Sequence, residues 1–296
     1  MSLSRLEAYA TQNPDFPRYV KNSLGAAGMS TAEALWDADR AGGLEGITNP
    51  EFKAATEQAY ELAGRMVGYV GISAPTPENM ASRGTDHLYL QGEWEQMKVD
   101  GLDPHIILAP HGLGLEGEHG WKKMYAEAIA DTTIPNNPLK QQPDGDGLWV
   151  NDNAAANWHA FDKAPEITTT PDAVTLPIYE TTAPDSTTVQ WTLRIIPGTP
   201  KPQHLDINYK DTVAQGITHQ TVSEMLTDKL TAIMQGKEPS DASVGGLYYY
   251  SWCDNGDPTG AHAPGGLWYR GRGQVNVGWF GVGRRRIYLG SRSPLG

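Results

Sequence analysis

Three observations predict an α+β fold. Apolar residues recur at helical spacing, with capping signals, through the first 130 or so positions. Period-two alternation dominates the last 34 residues, where nine glycines punctuate it. The 33 glycines and 21 prolines of the whole chain require many turns between short elements.

The helical signals come first. Ser30-x-x-Glu33 is a capping box ahead of Ala34, Leu35 and Ala38, with Gly42 as a stop. Asn49-Pro50-Glu51 starts a second helix that should bury Phe52, Ala55, Ala59, Leu62, Ala63 and Met66. Residues 106–108 read as a strand, and residues 120–131 as a helix with Trp121, Met124, Tyr125, Ala128 and Ile129 on one face. From 132 to 185 the text turns to Pro, Asn, Asp, Thr and Gly, which is loop chemistry around short strands at 148–150 and 174–179. A border near Asp185 therefore divides an α-rich N-terminal lobe, 1–185, from a ligand-binding domain, 186–296.

Beyond that border residues 189–196 read as a strand ended by Pro197-Gly198, followed by a short helical piece at 209–214. Thr221-x-x-Glu224 then caps a helix with a single apolar face of Val222, Met225, Leu226, Leu230 and Ile233, stopped by Gly236 and Pro239. Residues 247–252 and a loop at 254–264 lead into the tail. There residues 274–279 alternate as a strand, and Ile287-Tyr288-Leu289 reads as a second one closed by Gly290.

Composition limits function. The chain carries a net charge of −12, yet residues 263–296 hold six arginines, no lysine and no acid, so subtracting their charge leaves −18 on residues 1–262. No apolar stretch is long enough to span a bilayer, and Met1-Ser2-Leu3-Ser4-Arg5-Leu6-Glu7 lacks the apolar core of a secretory signal, so a soluble product of the cytoplasm is expected. One cysteine, Cys253, permits no intrachain disulfide, and its aromatic setting reads as packing. No Gly-x-Ser-x-Gly elbow and no phosphate-binding Gly-x-x-x-x-Gly-Lys-Ser/Thr loop occurs. The enzyme-like cluster is His105, His111 and His119 with Glu116 and Glu118, imidazoles and carboxylates of the kind that hold zinc or iron. A metal-dependent enzyme built on His105, His111 and His119 is thus the alternative to a binding protein. Nucleic-acid binding by arginines interleaved with aromatics runs against the acidic character of the whole.

The tail wording Gly266-Leu267-Trp268-Tyr269-Arg270-Gly271-Arg272-Gly273, then Val277-Gly278-Trp279-Phe280-Gly281-Val282-Gly283, then Ile287-Tyr288-Leu289-Gly290-Ser291-Arg292, resembles the C-type lectin fold as used by the variable proteins of diversity-generating retroelements. The resemblance implies a stiff scaffold that binds a cell-surface or host protein through exchangeable side chains, in an oligomeric, multivalent assembly such as a phage tail tip. It implies exposed contacts at Tyr269, Arg270, Arg272, Asn276, Phe280, Arg284, Arg285, Arg286 and Tyr288, with Trp268 and Trp279 counted in the ligand-binding segment. Gly290 and Arg292 would be scaffold, and no catalytic residue, cofactor or metal is expected. Copper-binding oxidase-like enzymes of the same fold use a cysteine pair, which Cys253 by itself does not provide. The Glu-Pro-Asn type of calcium triplet is absent, and Asp254, Asn255 and Asp257 read first as a turn.

Overall fold

The computed structural model describes residues 44, 47–83, 85, 87–165, 178–198, 202–242, 247–254 and 260–294. The expected helix after Ser30, Asn255, Asp257 and most of the expected strand at 174–179 lie outside the described residues.

Helix α1, Pro50–Gly68, begins where the sequence places it, because the Asn49 side chain accepts hydrogen bonds from the Glu51 and Phe52 amides and Pro50 has no amide to satisfy. Its inner face buries Phe52, Ala59, Leu62, Ala63 and Met66. Two helices that the apolar spacing does not announce follow: α2, Pro77–Ser82, capped by Thr76, and α3, His87–Val99. Strand β1, Pro104–His111, is longer than expected, and helix α4, Trp121–Ala130, ends within a residue of its expected limits. Then come β2, Leu148–Val150, and two short helices, α5, Asp152–Ala156, and α6, Trp158–Phe161.

Strands β3, Tyr179–Thr182, and β4, Thr188–Pro197, join β1 in an antiparallel sheet of order β1-β4-β3. β1 and β4 pair from Pro104↔Pro197 to His111↔Gln190, so the expected border near Asp185 does not divide the structure. Strands from either side of it share one sheet, and one apolar core takes in Phe52 and Met66 together with Val222 and Trp268. The loop-rich composition that suggested a border is a long connection between paired strands.

The remaining elements are β5, His204–Leu205; α7, Tyr209–Ala214; α8, Val222–Met234; β6, Tyr250–Trp252; β7, His262–Tyr269; β8, Gln274–Gly281; and β9, Leu289–Ser291. They complete a mixed six-stranded sheet of order β2-β8-β7-β6-β9-β5. Ile287 and Tyr288 are not in a strand as expected. They form a turn that the Leu289 amide closes by donating to the Arg286 carbonyl, the Arg284–Arg286 run before it is irregular, and pairing starts only at Leu289. The structure is thus α+β, with one antiparallel and one mixed sheet. Among the described residues no helix is long and apolar enough to cross a membrane.

Helix α8 organises the whole. Its capping box forms as predicted: the Thr221 hydroxyl accepts from the Glu224 amide while the Glu224 carboxylate accepts from the Thr221 amide. The single apolar face is only part of the outcome, since all thirteen residues are buried. α8 runs between β1 of one sheet and β7 of the other, where Gly266 leaves room for Met225; a Cβ there would lie 2.6 Å from the Met225 sulfur.

The polar side of α8 is consequently sealed against partners from distant segments. Lys229 Nζ contacts Asp241 Oδ2 at 2.9 Å, and Arg292 donates to Asp241 Oδ1 through Nε at 3.0 Å and Nη2 at 2.8 Å. Arg292 also donates to the Pro197 carbonyl, which fastens β9 to the end of β4. Asp228 accepts from Ser240 Oγ and from His105 Nδ1, the latter at 3.0 Å. Glu224 lies 3.6 Å from Arg194 Nε.

Candidate ligand-binding face

Side chains alternate across a strand, so the cross-strand register assigns every residue of the six-stranded sheet to one of two faces. Val275 and Val277 of β8, Trp268 of β7 and Leu148 of β2 point toward α8 and the main core. The opposite face carries Trp149 beside Asn276, Tyr250 beside Leu289, Trp252 beside Gly265, Ala263 beside Phe280, and Tyr269. Tyr248 and Tyr288 flank it.

This second face is rich in rings. Trp252, Ala263, Val282 and Leu289 form a small core of their own, and Tyr209, Tyr250, Phe280 and Tyr288 pack on it while remaining partly exposed. Phe280 meets Tyr250 edge-on at 5.1 Å and Trp252 at 5.9 Å, and Tyr248 meets Tyr269 edge-on at 4.8 Å. Burial raises the Tyr250 phenol pKa, and Tyr288, Arg284, Tyr269 and Tyr248 all act on it electrostatically. The Tyr250 ring stands 6.5 Å from that of Tyr288, and Tyr248, paired with Tyr269, precedes Tyr250 by two residues. Gly278 and Gly265 make its floor: a Cβ at Gly278 would lie 2.5 Å from Phe280 Cζ, and one at Gly265 would lie 3.1 Å from Phe280 Cε2. The missing side chains let the Phe280 ring lie flat.

Five of the six tail arginines rim this face, all solvent-exposed. The Arg272 guanidinium stands 5.7 Å from the Tyr269 ring and that of Arg284 stands 5.2 Å from Phe280, the arrangement of a cation against an aromatic face. Arg270 pairs with Glu238 at 2.9 Å, Arg272 with Asp144 at 2.6 Å and Arg285 with Asp206 at 3.2 Å. Among the described residues no carboxylate pairs with Arg284 or Arg286. Arg292 is the sixth and is fully buried on Asp241, and a Cβ at Gly290 would collide with the His204 carbonyl. Both belong to the framework.

The expected contact residues thus divide. Tyr269, Asn276, Phe280 and Tyr288 share the ring-bearing face, with Arg270, Arg272, Arg284, Arg285 and Arg286 at its edge. Trp268 and Trp279 do not, because their register turns them the other way: Trp268 is 1 % exposed in the core, and Trp279 packs on Phe161 and stacks on His262. Sequence reasoning passed over Trp149, Tyr248 and Tyr250. The spacing of Tyr248 and Tyr250, two apart leading into β6, and the place of Trp149 between inward Leu148 and Val150 were the available signals.

The three histidines of the enzyme-like cluster are kept apart. His105 and His111 occupy opposite ends of β1, about 20 Å from each other at strand rise. His111 is buried against Thr192 Oγ1 at 2.9 Å, and His119 Nδ1 lies against the Val70 carbonyl at 2.6 Å. Among the described residues no group of three or more His, Cys, Asp or Glu is placed to hold a metal ion.

Their environments differ in sign. Burial alone would lower the His105 pKa, but Asp228 and Asp103 outweigh it and raise it above the usual value. Burial lowers His87 to about 4, His219 to about 4 and His111 to about 3, with Arg194 adding to the last. His105 therefore stabilises the fold as an imidazolium below about pH 6.5, and that contribution is lost as pH rises through its raised pKa. The other three stabilise as neutral rings above about pH 6.5, and theirs is lost as pH falls toward 4. In an NMR titration at pH 5.5, His105 is expected to be protonated and His87, His111 and His219 neutral. A common midpoint near 6.5 would contradict the buried environments.

Comparison with protein-family models, with curated proteins and with solved structures finds no match for this chain, and its reading rests on the geometry of the ring-bearing face.

Proposed function

We propose that this protein is a binding protein that recognises a cell-surface or host protein through the aromatic face of its six-stranded sheet, on a C-type lectin-like scaffold, without chemical turnover. The observation that carries this reading is a group of partly exposed rings, Tyr248, Tyr250, Tyr269, Phe280 and Tyr288, packed on one another on one side of the sheet and edged by five exposed arginines. Tyrosine and arginine are the residue types most enriched in binding hot spots, and rings already packed edge-on lose little freedom when a partner covers them. A soluble protein does not ordinarily leave such a patch open without use. The scaffold assignment is supported by the order of a helix pair, α7 and α8, before β6 to β9, and by the burial of Gly290 and Arg292 beneath exchangeable-looking positions. A phage tail tip or another retroelement-diversified receptor is the setting that fits.

The reading is tested by screening the protein against displayed extracellular proteins. Binders are expected to lose at least tenfold in affinity with the Tyr250→Ala/Tyr288→Ala variant and nothing with Glu57→Gln, an exposed change on α1. Binders that tolerate the tyrosine changes would move recognition to another surface. For diversification, the encoding DNA should hold a near-copy of the segment for residues 263–296 beside a reverse transcriptase, differing mainly at template adenines.

A further inference from the structure

Three of the five rim arginines are occupied by carboxylates that come from elsewhere in the chain. Glu238 follows α8, Asp144 precedes β2 and Asp206 follows β5. In each pair both side chains are substantially exposed, from 40 % for Asp144 to 62 % for Arg285. Exposed pairs of this kind are worth little and exchange readily. By contrast, among the described residues no carboxylate pairs with Arg284, which stands over Phe280, or with Arg286, and Ile287 beside Arg286 is 63 % exposed.

Building on the proposed recognition face, we infer that these three carboxylates act as resident competitors, and that the partner presents a short acidic protein segment whose own carboxylates displace them. Arg284 and Arg286 make the first contacts because, among the described residues, no carboxylate must leave them. Arg270, Arg272 and Arg285 follow as Glu238, Asp144 and Asp206 are released to solvent, each guanidinium exchanging one carboxylate for another. The partner's apolar side chains fill the spaces between edge-on rings such as Tyr250 and Phe280. A short segment suits the charge distribution, since only the rim is cationic and residues 1–262 carry −18, a field that repels a long polyanion such as a nucleic acid.

The sign of the mutational effect distinguishes this idea from ordinary ion-pair support. Fluorescence anisotropy with a labelled oligo-glutamate peptide, and oligo-glutamine as the neutral control, reads it directly. The Asp144→Asn/Asp206→Asn/Glu238→Gln variant is expected to bind oligo-glutamate more tightly than the unaltered protein, by roughly two- to fivefold for each pair released. A charge-matched variant, Glu57→Gln/Glu61→Gln/Glu118→Gln, changes exposed acids away from the rim and should show no such gain. Arg284→Gln/Arg286→Gln should weaken binding by at least as much as the triple variant strengthens it. If Arg284→Gln/Arg286→Gln weakens binding but the rim carboxylate variant binds no tighter than its charge-matched control, the competitor role is wrong and the face remains the site. If neither the arginine pair nor Tyr250→Ala alters binding, or oligo-glutamine binds equally well, the acidic-segment assignment fails, and insensitivity to both changes removes the recognition face as well. Thermal unfolding of the rim-carboxylate, charge-matched and arginine variants should match the parent, because every position altered in them is exposed or half-exposed.

Discussion

Asp241→Asn is expected to destabilise the protein by about 3–5 kcal/mol and to lower Tm by roughly 6–20 °C. Asp241 is fully buried and answers two cations that are equally buried, Lys229 and Arg292. Burial works to raise its carboxyl pKa, but Arg292 and Lys229 overcome that and hold it below the usual carboxylate range. Asparagine keeps the shape and tolerates the left-handed backbone at this position, where φ is 58°, so the change removes the charge with little else. Two desolvated cations then lose the carboxylate they share and keep neutral acceptors at Ser240 and Pro197, which is far worse than losing an exposed pair. Adding Arg292→Gln to Asp241→Asn should recover part of the loss, a coupling that thermal or denaturant unfolding measures as a double-mutant cycle. Simple additivity would show that Arg292 and Asp241 do not act as a pair. The acid side has the same sign: a depressed carboxyl stabilises above its unfolded pKa near 3.9 and loses that contribution as pH falls through the folded value.

Gly278→Ala should displace the Phe280 ring and cost about 1–3 kcal/mol through its edge contacts with Tyr250 and Trp252. The new Cβ would lie 2.5 Å from Cζ and 2.8 Å from Cε2 of Phe280, too close for either to remain. Backbone strain is not involved, since Gly278 is absent from the positive-φ glycines. Because the ring is partly exposed it has somewhere to swing, so the fold is expected to survive while the face is remodelled. The affinity of any partner that is sensitive to Tyr250→Ala should then fall about tenfold or more. The steric origin is tested by adding Phe280→Ala: in the Gly278→Ala background it should cost much less than in the parent, since the contacts it removes are already gone. Equal costs in both backgrounds would mean that the ring never rested on the glycine.

How much of this was legible depends on the range of the interactions involved. Capping is local, so Asn49 and Thr221 marked the starts of α1 and α8 correctly. Alternation along residues 274–279 assigned Val275 and Val277 to the core for the same reason, since pleating needs no knowledge of the partner strand. The strand read at Ile287-Tyr288-Leu289 failed because the backbone turns at Ile287 and Tyr288, where the Leu289 amide reaches back to the Arg286 carbonyl, and pairing with β6 begins only at Leu289. The fate of the polar residues on α8 was not legible at all. Glu224, Asp228 and Lys229 look like a solvated helix face until Arg194, His105, Asp241 and Arg292, up to 123 residues away, close over them.

The candidate site shows the same division. The sequence alone determined the cluster of arginines and rings, the turns that hold Arg270, Arg272 and Arg284–Arg286 in solvent, and the helix caps, all of which follow from residues a few positions apart. Only the tertiary structure decided which side of the sheet α8 would cover, and therefore that Trp268 is interior while Tyr250 is surface. It also brought Trp149 and Tyr248 to the same face and set Glu238, Asp144 and Asp206 beside three of the arginines. Burial and pairing are settled by chain segments far apart in sequence, whose meeting depends on the packing of the whole molecule and leaves no periodicity in any one of them.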